Sequence, residues 1–325
     1  MMIKTTGLRK SFRSRQGREI KVVEAVRSVD MTVSEGEIFG FLGPNGAGKT
    51  TTLRMLATLI PPDGGEAVIA GANLLTEPGE VRRRIGYVAQ GGSTWETVTA
   101  REELILQARM YRLSKAEAQE RAARALAAFQ LTEYADRKCK TYSGGQRRRV
   151  DIALGIIHDP KVVFLDEPTT GLDPQSRAHM WDEVRRLRDE GMTVFLTTHY
   201  LEEADALCDR IAIIDHGEIV AEGTPAGLKR EISGDVVTVG FPEVGPGMET
   251  APDTAAGVLR DQPYVKRLET YDRNLRLYVE HGPTAVPQVV RALESAQLVP
   301  DAIEVHRPSL DDVFLSKTGR SLRED

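Results

Sequence analysis

Cysteine is almost missing from this sequence: Cys139 and Cys208 are the only two in 325 residues. Neither stands in a C-x-x-C pair or near a histidine at ligand spacing, which excludes a zinc module and a disulfide framework and leaves two structural thiols. Long apolar runs are missing too. None approaches the roughly 18 residues that cross a bilayer, and those present, such as Val162-Val163-Phe164-Leu165, end quickly in charge. The chain is therefore not expected to span a membrane by itself. Basic residues at the N-terminus have no apolar stretch behind them, so a secretory signal is not expected and a cytoplasmic location is. Excess positive charge is also absent: the net charge is −5 and the isoelectric point near 5.8, the wrong sign for coating nucleic acid. No internal repeat or low-complexity segment is found. What is present is an ordinary folded composition, 41% hydrophobic and 28% charged, which argues against disorder. The length is about twice that of a usual domain and predicts one large domain with an appendage, or two domains.

Ile38 to Leu42 reads as a buried strand, followed at once by the loop GPNGAGKTT at 43–51. Behind it Leu53, Leu56, Ala57 and Ile60 fall on one helix face, stopped by Pro61-Pro62. Residues 100–130 read as two helices broken near Leu113-Ser114, and another helix follows Ser143, so a helical subdomain is inserted into an α/β core. Val162–Leu165 and Thr193–Thr197 read as further buried strands around a helix over Gln175–Glu190. Strands alternating with helices predict a parallel sheet with right-handed crossovers. After Gly223-Thr224-Pro225 a short helix runs to about Ile232, and the texture then changes. Residues 235–325 show strand-like runs at Val236–Val239 and Leu275–Val279, an amphipathic helix near 284–296, and a Pro/Gly-rich loop between 242 and 263, which together predict a small α+β appendage.

Gly43-x-x-x-x-Gly48-Lys49-Thr50 is a phosphate-binding pattern in the context it requires, between a buried strand and a helix start. Glycines let successive N–H groups curl round phosphate oxygens, the helix N-terminus adds positive dipole, Lys49 reaches the terminal phosphates and the Thr50 hydroxyl can ligate Mg²⁺. Asp166-Glu167 closes a buried strand with two adjacent carboxylates that point to opposite sides. Asp166 is the candidate Mg²⁺ partner, through water, and Glu167 the candidate to orient or deprotonate an attacking water. Taken alone the pair is more often a solvated strand end; the phosphate loop upstream reverses that in favour of the first reading. Tyr142-Ser143-Gly144-Gly145-Gln146 is a second glycine-bearing turn that opens a helix, and hence a second anion site. Two such devices in one chain make sense if each nucleotide is gripped by the loop of one subunit and the turn of another.

The set GPNGAGKTT, Gln90, YSGGQ, FLDE, Gly171-Leu172-Asp173 and His199, in that order, resembles the nucleotide-binding domain of an ATP-binding cassette (ABC) transporter over residues 1–232. The resemblance implies an α/β fold: a P-loop NTPase core with a helical subdomain at about 91–158, followed by a C-terminal α+β accessory domain at 233–325. It implies ATP and Mg²⁺ as cofactors, with Gly43, Asn45, Gly46, Gly48, Lys49, Thr50 and Thr51 around the phosphates and Thr50, Gln90 and Asp166 around the metal. It makes Glu167 the catalytic base, with Lys49 and His199 at the γ-phosphate and Gln90 sensing the transport partner. Phe12 stacks on adenine, a core Phe being the alternative. Ser143, Gly144, Gly145 and Gln146 serve the nucleotide of a second copy in a head-to-tail dimer, with Asp173 at the dimer seam. Tyr142 replaces the Leu more usual in that signature.

A narrower resemblance lies in TYSGGQRRRVDIALG at 141–155, HYLEEAD at 199–205 and RPSLDDVFLSKTG at 307–319, which are similar to the daunorubicin/doxorubicin-resistance type of ATP-binding subunit. It implies an ATPase that powers efflux of a hydrophobic or amphipathic compound through a separate integral-membrane permease, two ATPase and two permease subunits together at the inner face of the cell membrane, with no nucleic acid partner. The alternative is a cassette ATPase acting as a regulatory or assembly module without a transported substrate. Leu310, Asp311, Val313, Phe314 and Leu315 match a C-terminal element that supports assembly in that group, or simply pack the appendage. The clusters Arg82-Arg83-Arg84 and Arg147-Arg148-Arg149 read as solvated helix faces, with one Arg near the ATP site, or as contacts to phospholipid heads or permease loops. Trp95 lies in the segment Gly91–Thr99, where the family receives a permease's coupling helix, and is expected to be an aromatic anchor there.

Overall fold

A computed structural model describes residues 1–16, 19–232, 234–241, 251–271 and 274–320. The polar stretch 13–20 and the loop expected at 242–263 fall partly outside these residues. Two compact units divide at Pro225.

The first unit runs β1 (Ile3–Gln16), β2 (Glu19–Val33), β3 (Ile38–Leu42), α1 (Lys49–Leu56), β4 (Gly64–Ile69), β5 (Ala72–Asn73), α2 (Pro78–Arg84), β6 (Ile85–Val88), α3 (Ala100–Met110), α4 (Lys115–Ala128), α5 (Gly144–Ile156), β7 (Val162–Asp166), α6 (Pro174–Asp189), β8 (Thr193–Thr198), α7 (Leu201–Leu207), β9 (Arg210–Asp215) and β10 (Glu218–Gly223). The strands are ordered β5-β4-β1-β2-β10-β9-β3-β8-β7-β6. The five strands from β9 to β6 are parallel to their neighbours, as expected. The other half was not expected: β1, β2, β4 and β5 pair antiparallel, with the long strands β1 and β2 side by side.

Burial explains the parallel half. β3, β7 and β8 are buried along their whole length and read as unbroken apolar runs, the pattern of strands covered on both faces. Phe39 and Phe164 each place a ring 5.6 Å from that of Phe195 on the strand between them, contacts worth about 0.5–1.5 kcal/mol each beyond area burial. The helical insertion begins and breaks where its caps are. Thr99 with Glu102, Ser114 with Glu117 and Ser143 with Gln146 each form a capping box, so α3, α4 and α5 start at Thr and Ser positions that satisfy their first-turn N–H groups.

The second unit takes in most of α8 (Pro225–Glu231), then β11 (Asp235–Gly240), α9 (Ala251–Arg260), β12 (Val265–Tyr271), β13 (Asn274–Val279), α10 (Gly282–Ser295), β14 (Ala302–His306) and α11 (Leu310–Thr318). The division falls ahead of α8 rather than after Ile232, and the Glu231–Lys317 ion pair of 3.1 Å ties that short helix to the C-terminal unit. The β-α-β-β-α-β sequence with antiparallel strand order β12-β13-β11-β14 is the ferredoxin-like arrangement. Part of the stretch expected to be loop is α9, for Pro252 sits in its first turn, where a missing N–H costs nothing. One sheet face packs Val237, Val239, Leu275 and Leu277 against α9 and α10. The other carries Arg267, Arg276 and His306 and receives α11. There Asp312 lies 3.4 Å from Arg276 and 3.6 Å from His306, and Ser316 accepts from Arg267 at 2.7 Å. Among the described residues no helix is long and apolar enough to cross a membrane.

Candidate functional site

Parallel strands deliver their loops to one edge. β3, β8 and β7 are neighbours, with Leu42 opposite Thr198 and Asp166 opposite Thr197, so the residues that follow them, Gly43, His199 and Glu167, emerge together. β6 pairs Val88 with Leu165, which brings Gln90 to the same edge. This is where an open α/β sheet binds its ligand.

The phosphate loop turns between β3 and α1 through Gly46 and Gly48, both in the left-handed region. Gly48, at φ +107°, has no room for a side chain: a Cβ there would stand 2.4 Å from the Ala25 carbonyl. Lys49 is buried, and its ammonium donates to the Gly43 and Pro44 carbonyls at 2.7 and 3.0 Å. It also lies 3.5 Å from Glu167 Oε1. Burial pushes the Lys49 ammonium below its usual range, opposed by Glu167 and Asp166. Thr50 donates to Asp166 Oδ1 at 3.0 Å, and Thr197 donates to the same oxygen at 2.7 Å while accepting the Glu167 N–H at 3.0 Å.

Glu167 is buried and has φ +44°, a conformation that a residue other than glycine rarely adopts. Its Oε2 accepts from Gln90 Nε2 at 2.8 Å and Thr170 Oγ1 at 3.1 Å. His199 Nδ1 is 3.2 Å from that oxygen. Burial alone would raise the Glu167 carboxyl, but His199, Lys49 and Thr170 outweigh it and hold the group below its ordinary range. Gln90 thus turns its amide nitrogen to Glu167, not to the Thr50–Asp166 pair. A cleft of about 300 Å³ is lined by Asn45, Gly46, Gly48, Lys49, Thr50, Thr51, Gln90 and Glu167, with Phe12 and Ala25 at its side. Phe12 is 43% exposed, which rules out the core alternative.

These groups fit a magnesium nucleotide. The Thr50 hydroxyl and the Asp166 carboxylate are the hard oxygen donors Mg²⁺ prefers, and among the described residues there is no cluster of three or more His, Cys, Asp or Glu that could hold a metal alone. A cation here would complete its shell with phosphate oxygens and water, as Mg²⁺ does.

The second glycine turn is elsewhere. Ser143 caps α5, and the first-turn N–H groups of Gly144 and Gly145 have no intrahelical acceptor. Together with Gln146, Ser176 and His179 the turn lines a separate cleft of about 200 Å³ that shares no lining residue with the first. Asp173 caps α6 by accepting from Ser176 N and Oγ at 2.9 and 2.6 Å. Gly145 packs so close to Ser176 that a Cβ would lie 2.9 Å from its Oγ. Tyr142, in place of Leu, is buried with its ring edge-on to Tyr134, and burial pushes its hydroxyl up to about 12.

A model of the ABC transporter family matches residues 26–170, and a model described as the ATP-binding protein DrrA1-3-like C-terminal domain matches 223–318. The daunorubicin/doxorubicin resistance ATP-binding protein DrrA of Streptomyces peucetius is 43% identical over 98% of this chain and 92% of its own length. The chain belongs to the ABC transporter family. Within it, the Nod factor export ATP-binding protein I of Burkholderia orbicola (strain AU 1054) is 38% identical over 92% of this chain and 93% of its own. Among solved structures, a dimeric post-hydrolysis state of the ATP-binding cassette MJ0796 bound to ADP and Pi superposes with TM-score 0.61 at 29% identity, covering 69% of this chain and 98% of that one. As an ABC protein the chain is an ATPase that uses Mg²⁺.

Several residues of the site escaped the sequence reading. Thr197 was only the end of an apolar strand. Of the three arginines, the one expected near the ATP site is Arg148, which is buried, whereas Arg147 pairs at 3.4 Å with Glu96. Asp151, one turn on, is buried with Oδ1 accepting from Ser93 N and Thr94 N at 2.8 and 3.0 Å and from Thr94 Oγ1 at 2.6 Å. Glu103 accepts the Trp95 N–H at 3.0 Å, leaving the Trp95 side chain 62% exposed.

Proposed function

We propose that this ABC ATPase powers export of a hydrophobic or amphipathic compound through a separately encoded membrane permease, working at the inner face of the cell membrane. The reading is supported by two clefts that share no lining residue, one at the phosphate loop and one beside the Ser143–Gln146 turn, each of which a second copy of the chain, placed head to tail, would complete as a nucleotide site. The exporter direction follows the relatives, a drug-resistance subunit and a Nod factor export subunit.

Phe12 stacks on adenine, and the glycine loop with Lys49 and Thr51 takes the phosphates. Thr50 and Asp166 would hold Mg²⁺, with Gln90 beside them as a further oxygen donor. When bound, Mg²⁺ neutralises charge on the β- and γ-phosphate oxygens. Glu167, depressed and therefore ionised at neutral pH, accepts a hydrogen bond from the attacking water and takes its proton as the water adds. His199 orients toward the γ-phosphate from the other side of Glu167. The partner copy's Ser143–Gln146 turn closes over the same phosphate, with Asp173 at the seam. The segment 91–99, with Trp95 presented outward, receives the permease.

The experiment is sizing chromatography of Glu167→Gln protein with Mg-ATP. Closure into a stable dimer is expected, since binding survives while proton acceptance is lost. Wild-type turnover, or a monomer at saturating nucleotide, refutes the assignment. Export is tested by placing the chain with the permease encoded beside it in lipid vesicles, where ATP-dependent movement of an amphipathic dye is expected from wild type and lost in Glu167→Gln.

A further inference from the structure

Arg148 sits in the second turn of α5, five residues after the Ser143 cap, and is 7% exposed. Its guanidinium donates only to backbone carbonyls: Nε to Pro168 at 2.9 Å, Nη2 to Asp166 at 3.0 Å and Glu167 at 3.5 Å, and Nη1 to Ala89 at 2.6 Å. These carbonyls belong to the two loops that carry Glu167 and Gln90, whose side chains meet at 2.8 Å. Three of them bracket the one acid of the site with strained backbone, Glu167 at φ +44°. A conformation of that kind persists only where its surroundings over-determine it. A buried cation is also a costly way to pack a helix against a sheet, since an apolar side chain of similar volume does so without desolvating a charge. The planar fork is what the position uses: its donors point in fixed directions that an ammonium lacks.

We infer that Arg148 is a positioning residue for hydrolysis: it locks the backbone of Glu167 and of the Gln90 loop into one frame and ties that frame to the helix that bears the signature turn. Rotation of α5 when Ser143 engages the opposite nucleotide therefore moves Glu167 and Gln90 together. This rests on the ATPase reading above.

The test is single-turnover hydrolysis of labelled ATP by the full-length chain, comparing wild type with Arg148→Met and Arg148→Lys, normalised to the folded fraction measured by thermal unfolding. Misplacing a catalytic group by about 1 Å costs on the order of 100-fold, so Arg148→Met is expected to lose about that factor in rate at saturating ATP with the half-saturating ATP concentration within about twofold. Arg148→Lys keeps the charge without the fork and is expected to lose at least roughly tenfold. If Arg148→Met fails to fold, the lysine variant carries the test. A rate within threefold of wild type in the lysine variant, or a loss confined to ATP affinity in either variant, overturns the proposal. Absence of hydrolysis in wild type refutes the ATPase reading instead.

Discussion

Removing the Asp151 carboxylate should detach segment 91–99, proposed above to receive the permease, from α5 while leaving the phosphate loop intact. Asp151 is 3% exposed, and one of its oxygens gathers the Ser93 and Thr94 N–H groups at 2.8 and 3.0 Å and the Thr94 hydroxyl at 2.6 Å. Asp151→Ala leaves those two N–H groups without their acceptor. Hydrogen bonds to a charged group contribute about 1.5–3 kcal/mol each but share one oxygen here, so the net loss is placed at about 3 kcal/mol. For a unit of this size that corresponds to a fall in Tm of about 6–12 °C. Asp151→Asn keeps a carbonyl acceptor for the same N–H groups and should lose about half as much. Differential scanning calorimetry gives the stability, and hydrogen exchange of amides 93–95 reports the local effect. Protection at Ser93 and Thr94 should drop at least tenfold in the alanine variant while that of β3 and β7 changes only as the global stability does. Basal ATP hydrolysis should persist, and its stimulation by the permease should fall severalfold, because Trp95 is no longer held on a fixed platform. A Tm within 1 °C of wild type, or unchanged exchange at 93–95, would refute the reasoning outright.

Phe12→Ala should raise the half-saturating ATP concentration with little change in the maximal rate: stacking of a base on an aromatic ring is worth about 1–3 kcal/mol, or roughly fivefold to 150-fold in affinity. Titration calorimetry with a non-hydrolysable ATP analogue checks it, and unchanged affinity removes Phe12 from the site. In the second unit, Asp312→Asn should destabilise at neutral pH by about 2 kcal/mol, since it strips the α11 cap, Arg276 and His306 of a buried carboxylate. Burial opposes ionisation of Asp312, but His306 and Ser309 outweigh it and leave the carboxyl below its ordinary range. Its contribution is thus fully present above the unfolded value of about 4 and is lost as pH falls through the lower folded value. Chemical denaturation should show the wild-type advantage shrinking as pH falls below about 4. An advantage as large at about pH 3 as at about pH 5 would falsify the assignment of that carboxylate.

The phosphate loop and the acid pair were legible because their chemistry dictates residue type at fixed spacing: glycines where a Cβ would meet a carbonyl, a lysine and a hydroxyl at the helix start, carboxylates at a strand end. The ferredoxin-like unit was half legible, since β11, β13 and α10 carry apolar periodicity, whereas β12 and β14 lie at its edges and mix polar with apolar residues. The C-terminal element matched two readings. Leu310, Val313 and Phe314 are buried and Asp312 is bonded to the sheet's outer face, so the packing role holds whatever else the element does. That one arginine of the 147–149 cluster lies near the ATP site was legible, but that it is Arg148 was not. Three consecutive arginines on a helix point about 100° apart, and which of them is buried depends on carbonyls contributed by loops far away in sequence. Once that face is known, the spacing of the tract gains meaning. Arg148 and Asp151 are three residues apart and so lie on the same side of α5, one holding Ala89 and the Glu167 backbone, the other holding Ser93 and Thr94. Inserting or deleting a single residue between Gln146 and Arg148 would rotate both away by about 100° while leaving the signature turn unchanged. The length of that short tract therefore fixes how motion of the Ser143–Gln146 turn reaches both the Glu167 backbone and the Ser93–Thr94 segment.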